Sequence, residues 1–186
     1  MTDTLEAVRE TNAGTNAGSG AIRDVFITGL RNAHALEHQA LALMDRQIEH
    51  LAQYAEVEER LRSHRGETEG QIARLETILE SLGESPSGLK DTAMSLTGNL
   101  AALGHTFAPD EILKNSFANF AFENFEIASY KALIVMADEG GFTSAIAPLQ
   151  ATLQEEKAMA SFCEDILPIV VRKYLNLRAS GEQASH

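Results

Sequence analysis

Tryptophan is absent from this sequence, cysteine occurs once, and proline occurs only four times in 186 residues. The single cysteine, Cys163, excludes an internal disulfide framework and fits a reducing compartment. The prolines stand at 86, 109, 148 and 168, which leaves long stretches where helices can run uninterrupted. Positive charge is also scarce, with 15 basic residues against 27 acidic ones and a net charge of −12. That balance argues against nucleic acid or an anionic membrane surface as a main partner, and no basic run or stripe offsets it. No window approaches the roughly 20 apolar residues of a membrane span. The opening "MTDTLEAVRETNAGTNAGSG" is polar and lacks the apolar stretch of a secretory signal. The expectation is a cytoplasmic protein that engages neither nucleic acid nor membrane.

What is present is a normal apolar content of 44%, enough for one domain with a real core. The Gly, Asn, Ser and Thr of residues 11–20 cannot bury enough surface to offset ordering entropy, so 1–20 reads as a flexible tail. Residues 178–186, "RASGEQASH", read likewise, which leaves 21–177 as the domain. Within it the pattern is helical. Ile27, Leu30, Ala33, Glu37, Leu41, Met44, Ile48 and Leu51 recur at steps of three and four. Val57, Leu61, His64, Glu67, Gln71, Leu75 and Ile78 follow after a turn near Tyr54. Asp110-Glu111 after Pro109 starts a third helix carrying Leu113, Phe117, Phe120, Ile127, Ile134 and Ala137, which stops at Gly140-Gly141. The fourth, from about Thr143 to Leu177, carries Leu149, Leu153, Glu156, Cys163, Leu167 and Val170, with a kink expected at Pro168. Short turns join the first two helices and the last two, whereas residues 83–108 form a long link containing a short helical pattern at 89–103. Two antiparallel hairpins joined by a long crossover make an all-α, ferritin-like four-helix bundle.

Acidic residues interrupt all four apolar stripes. Glu37 lies 17 residues before Tyr54, and Glu67 and His64 lie 13 and 10 after it. Glu123 and Glu126 lie 17 and 14 residues before Gly140, and Glu156 lies 16 after it. At about 1.5 Å per residue nearly all sit roughly 20–25 Å from their turn. Both hairpins therefore bring carboxylates to one height. Five interior carboxylates without a cation would be very costly, and too few inward Lys or Arg residues are available to pair them. A divalent metal is the natural partner, and carboxylate with imidazole suits iron or manganese.

Four stretches carry a resemblance to a known family: "HALEHQAL" (34–41), "HRGETEGQIARLETILESLG" (64–83), "FENFEIASYKAL" (122–133) and "TLQEEKAMA" (152–160). Together they resemble the helix motifs of the ferritin-like proteins of the YciE/YciF stress type. The resemblance implies a four-helix ferritin-like fold, a homodimer, a di-metal centre and a role linked to stress. By motif position it implies Glu37, His64, Glu67, Glu123, Glu126 and Glu156 as the metal-binding cluster. The pattern is not the general di-iron one: helix two reads His64-x-x-Glu67, in reversed order, and helix four reads Glu156-x-x-Met159, without histidine. Two ions or a single ion remain open on these residues.

Other features compete for attention. His34-Ala-Leu-Glu37-His38 fits the inverted zinc-peptidase motif, but it is short and the bundle pattern already uses Glu37. Tyr130 reads as a core ring with a bonded hydroxyl or as a neighbour of the metal, and Cys163 as a small apolar core residue. Glu155, next to Glu156, should point elsewhere. Two function classes follow. One is redox chemistry at the metal, on peroxide, oxygen or iron. The other is a non-catalytic dimeric helical stress protein with weak or no metal binding.

Overall fold

The computed structural model describes residues 3–85 and 110–184, with side chains from Gly20 onward. The segment expected to carry a short helix at 89–103 lies outside the described residues. Four helices make up the described chain: α1 (Asp3–Ile48), α2 (Ala55–Ser81), α3 (Glu111–Glu139) and α4 (Thr143–Ser180). None of them is long and apolar enough to cross a membrane. α1 begins inside the stretch read as an N-terminal tail. α4 runs on through Pro148 and Pro168, although each ring removes the N–H that would meet the carbonyl four residues earlier.

The hairpin turns fall where the sequence placed them. α1 and α2 are joined through Tyr54, and α3 and α4 through Gly140 and Gly141. Gly141 has φ +73°, and the bonds Phe142 N to Ala137 O (2.8 Å) and Gly141 N to Asp138 O (3.1 Å) close the end of α3. Only glycine takes that left-handed geometry without strain. Contacts between α1 and α3 and between α2 and α4 complete the bundle, each antiparallel. Gln47 and Asn119 exchange side-chain hydrogen bonds at one end of the α1–α3 pair, and Phe26 stacks on Phe142 at the other. Glu84 accepts from Arg23 and Arg31, while Glu111 lies 3.5 Å from His50. The two anchor points of the 86–109 link therefore stand at opposite ends of the bundle, as a long crossover requires.

The core is divided in two. One apolar cluster contains Phe26, Leu30, Leu75, Leu79, Leu133 and Leu149. The other contains Leu36, Met44, Leu61, Phe122, Met159 and Val170. Between them lies a buried polar layer of Glu37, His64, Thr68, Gln71, Glu123, Glu126, Thr152 and Glu156.

The structure corrects three expectations. The buried face of α3 is Ile112, Phe122, Glu123, Glu126, Tyr130, Leu133 and Ala137, whereas Phe117 is exposed and Ile127 and Ile134 are half-buried. α3 is apolar around much of its circumference, so periodicity alone could not choose its inner face. On α2, Thr68 takes the fully buried position and Glu67 is half-exposed. The C-terminal stretch is tied down rather than frayed: Ala184 is buried and its carbonyl accepts a 2.7 Å bond from the Tyr54 hydroxyl.

Two glycine substitutions should act in opposite directions. Gly141→Ala forces a side chain into φ +73° and should lower unfolding free energy by about 1 kcal/mol. Gly66→Ala, in the interior of α2 with open space around its Cβ position, should raise it by roughly 0.5–1 kcal/mol. Urea unfolding midpoints measured side by side check both.

Candidate metal centre

Each helix delivers its polar group to the layer by ordinary helical spacing. On α2, His64, Thr68 and Gln71 stand at steps of four and three and share one face. On α3, Glu123, Glu126 and Tyr130 do the same, and α4 adds Thr152 and Glu156. α1 adds Glu37.

His64 is the hinge of the arrangement. Its Nδ1 lies 2.8 Å from Glu67 Oε2, and Glu67 also pairs with Arg60 at 3.1 Å. Its Nε2 faces inward, 3.4 Å from Glu123 Oε2 and 3.6 Å from Glu156 Oε2. These three residues offer ligand atoms that all lie within 4.8 Å of one another, and all three are buried. Beyond them, Glu37 accepts from the Tyr130 hydroxyl, and Glu156 accepts from the Gln71 amide, which also donates to Glu155 at 3.0 Å. Glu155 in turn binds the Arg74 guanidinium. The structure thus brings Glu37, His64, Glu123, Glu126 and Glu156 together and leaves Glu67 at the edge, where it orients the imidazole.

Four buried carboxylate oxygens have no hydrogen-bond partner: Glu37 Oε2, Glu123 Oε2, Glu126 Oε1 and Glu156 Oε2. No lysine or arginine is buried among the described residues. Burial, helped by the charge of Glu123, raises the Glu37 carboxyl to about 7 against the lowering pull of Tyr130 and His64. Burial, with the charges of Glu37 and Glu123, raises Glu156 to about 10. Glu126 is pushed well above the carboxylate range by burial and then by Glu37, Glu156 and Glu123. Burial opposes charge on His64, but Glu123 and Glu67 outweigh it and raise its pKa. Partial burial would raise Glu67, yet His64 and Arg60 hold it below the ordinary range. In the absence of a cation the layer must hold protons. A hard divalent ion supplies the same compensation and fits the orphaned oxygens and one imidazole nitrogen.

Comparison with known proteins places this chain in a family. A family model described as a domain of unknown function, DUF892, matches residues 21–176. The chain belongs to this family. It is 31% identical over 150 residues to protein YciF of Escherichia coli K12, covering 74% of this chain and 84% of YciF. Its fold is similar to that of a crystallised protein from Xanthomonas campestris pv. campestris, with 26% identity and a TM-score of 0.71 over 85% of this chain and 99% of that one. It is likewise similar to the crystal structure of the Escherichia coli stress protein YciF, with 27% identity and a TM-score of 0.66 over 82% and 98%. The resemblance read from the four helix motifs, and the all-α bundle it implied, are borne out.

Within this DUF892 bundle the inverted zinc-peptidase reading finds no support in geometry. Glu37 points to Tyr130, His34 Nε2 lies 3.2 Å from Glu76, and His38 is exposed. Three further polar residues, Thr68, Gln71 and Thr152, join the layer. Gln71 is visible in the sequence as a polar residue on an apolar stripe, whereas Thr68 and Thr152 carry no signal, because threonine is ordinary in a helix.

Protonation of the layer makes the metal-free protein sensitive to pH in one direction. Glu37, Glu126 and Glu156 have folded pKa values above the unfolded value of 4.5, and His64 lies above 6.5. Their stabilisation is complete below pH 4.5 and is lost as pH rises, through about 7 for Glu37 and higher for Glu156. Each group protonated only in the folded state contributes about 1.4 kcal/mol per pH unit. The Tm of chelator-stripped protein should therefore fall between pH 5 and pH 8, and Glu156→Gln, which cannot ionise, should flatten that slope.

Proposed function

We propose that this protein is a di-metal carboxylate protein that binds iron or manganese and supports redox chemistry on peroxide, oxygen or iron. The observation that carries the reading is the set of orphaned carboxylate oxygens around His64, buried with no lysine or arginine among them. Glu37, Glu123, Glu126, Glu156 and His64 Nε2 are the proposed ligands. Glu67 is the proposed orienting group: by accepting from Nδ1–H it leaves the Nε2 lone pair facing Glu123 and Glu156. A lone pair aimed at two carboxylates is repelled unless a proton or a cation lies between them.

When bound, a redox-active ion supplies one-electron chemistry toward a small oxidant. The chain's own residues do the rest. Phe122, Leu36 and Met159 on one side, with Leu75 and Leu133 on the other, keep bulk water from the layer and strengthen every charge interaction inside it. Tyr130 donates to Glu37 and fixes one carboxylate oxygen, which leaves the other free to bind. Gln71 holds Glu156 in the same way. Because these carboxyls must shed protons as a cation enters, affinity should rise with pH.

Elemental analysis of protein purified without chelators should find iron or manganese, and adding either ion to stripped protein should raise its Tm. If neither metal is present and neither shifts the melting point, the reading fails. Peroxide turnover that depends on metal and is lost in Glu126→Ala would separate an enzyme from a store; metal retained with no turnover would favour storage.

We also propose a second copy of this chain as partner, seated on the outer face of α3. Phe117, Phe125 and Val135 are more than half exposed there, and the small side chains Ala121, Ala128 and Ala132 between them are also exposed. A helix face of this kind can meet its own copy closely about a two-fold axis. Light scattering should report a dimer for the native chain and a monomer for Phe125→Asp.

A further inference from the structure

The polar layer is lopsided. It contains one imidazole, at the end where α2 brings His64 against Glu123 and Glu156. Gln71 is seven residues further along α2, about 10 Å by helical rise. At that level Tyr130 reaches Glu37, and Gln71 reaches Glu156. His64 cannot serve both ends. The ligand-spaced group is accordingly His64, Glu123 and Glu156, without Glu37 or Glu126.

The far end has its own unmet needs. Glu37 Oε2, Glu126 Oε1 and Gln71 Oε1 are buried oxygens without a partner, and so is Thr68 Oγ1 between the two ends. Glu37, Gln71 and Glu126 are each at most 1% exposed. Of the neighbouring charges, that of Glu37 acts most strongly on Glu126. Every donor available at this end is oxygen. Oxygen-only sets suit magnesium, calcium and manganese, whereas zinc prefers sites supplying nitrogen or sulfur.

We propose that the centre comprises two unlike cation positions. The first, with His64, Glu123 and Glu156, accepts imidazole-seeking and oxygen-seeking ions alike. The second, with Glu37, Glu126 and the Gln71 amide oxygen, takes a hard ion such as Mn²⁺ and holds Zn²⁺ more weakly than the first does. Glu156 stands between them. This inference rests on the di-metal reading and adds to it which residues divide the two ions and which ions they select.

The test is calorimetric titration of stripped, full-length protein with MnCl₂ and, separately, ZnCl₂, with metal per chain counted after desalting. All titrations use a His38→Ala background, which removes the paired imidazoles of His34 and His38 as a competing zinc site. The expected result is two manganese ions per chain and one tightly held zinc ion, with any second zinc at least tenfold weaker. Glu37→Gln should reduce manganese to one and leave the tight zinc ion in place, with Glu126→Gln as a second variant if the first is poorly folded. His64→Gln should weaken zinc at least tenfold and keep one manganese. Two zinc ions of equal affinity would overturn the selectivity, as would a Glu37→Gln protein that loses zinc and manganese together. A single manganese ion per chain would overturn the second position while the centre stands. No binding of either metal would overturn the di-metal reading itself.

Discussion

The constraint on which this bundle turns is the burial of negative charge at its waist. Four acidic groups and one imidazole occupy a layer that an ordinary bundle would fill with leucine. Carboxylates there have left water without gaining lysine or arginine partners, so they must take up protons or share a cation. That requirement explains the raised carboxyl pKa values, the raised histidine and the orphaned oxygens as one phenomenon.

The surrounding architecture follows from it. Two apolar clusters, one toward each end of the bundle, hold the helices together, so the polar layer need not contribute stability of its own. The layer is instead held in geometry by neutral or half-exposed helpers. Tyr130 and Gln71 donate to Glu37 and Glu156, while Glu67 and Arg60 steady His64 from the edge. Each donor satisfies one oxygen and leaves the other open. This is the arrangement expected of a binding site that has to stay intact when its ion is absent.

The family context sharpens the contrast between fold and chemistry. Membership of DUF892 and similarity to the stress protein YciF establish the bundle, but the bundle alone does not specify a reaction. The chemistry lives in the donor set. One imidazole among carboxylates is a harder set than two symmetric Glu-x-x-His motifs would provide, and the placement of that imidazole at one end makes the centre unequal.

Much of this was legible in the sequence. The Tyr54 and Gly140 turns and the common height of Glu37, Glu123, Glu126 and Glu156 follow from fixed rise and periodicity, which are local properties, whereas the start of α1 inside the polar 1–20 stretch was not legible there. The inner face of α3 was not legible, because Phe, Ala, Ile and Val surround that helix and any face could have been buried. Nor could spacing tell Thr68 from Glu67 as the buried residue, since adjacent positions differ by only about 100° of rotation. Packing decided it, by setting α2 against α4 so that Gln71 meets Glu156 and Glu67 is left to hold His64. The sequence by itself determined that acids would converge; the tertiary structure decided which oxygens would be left without a partner, because partners come from other helices.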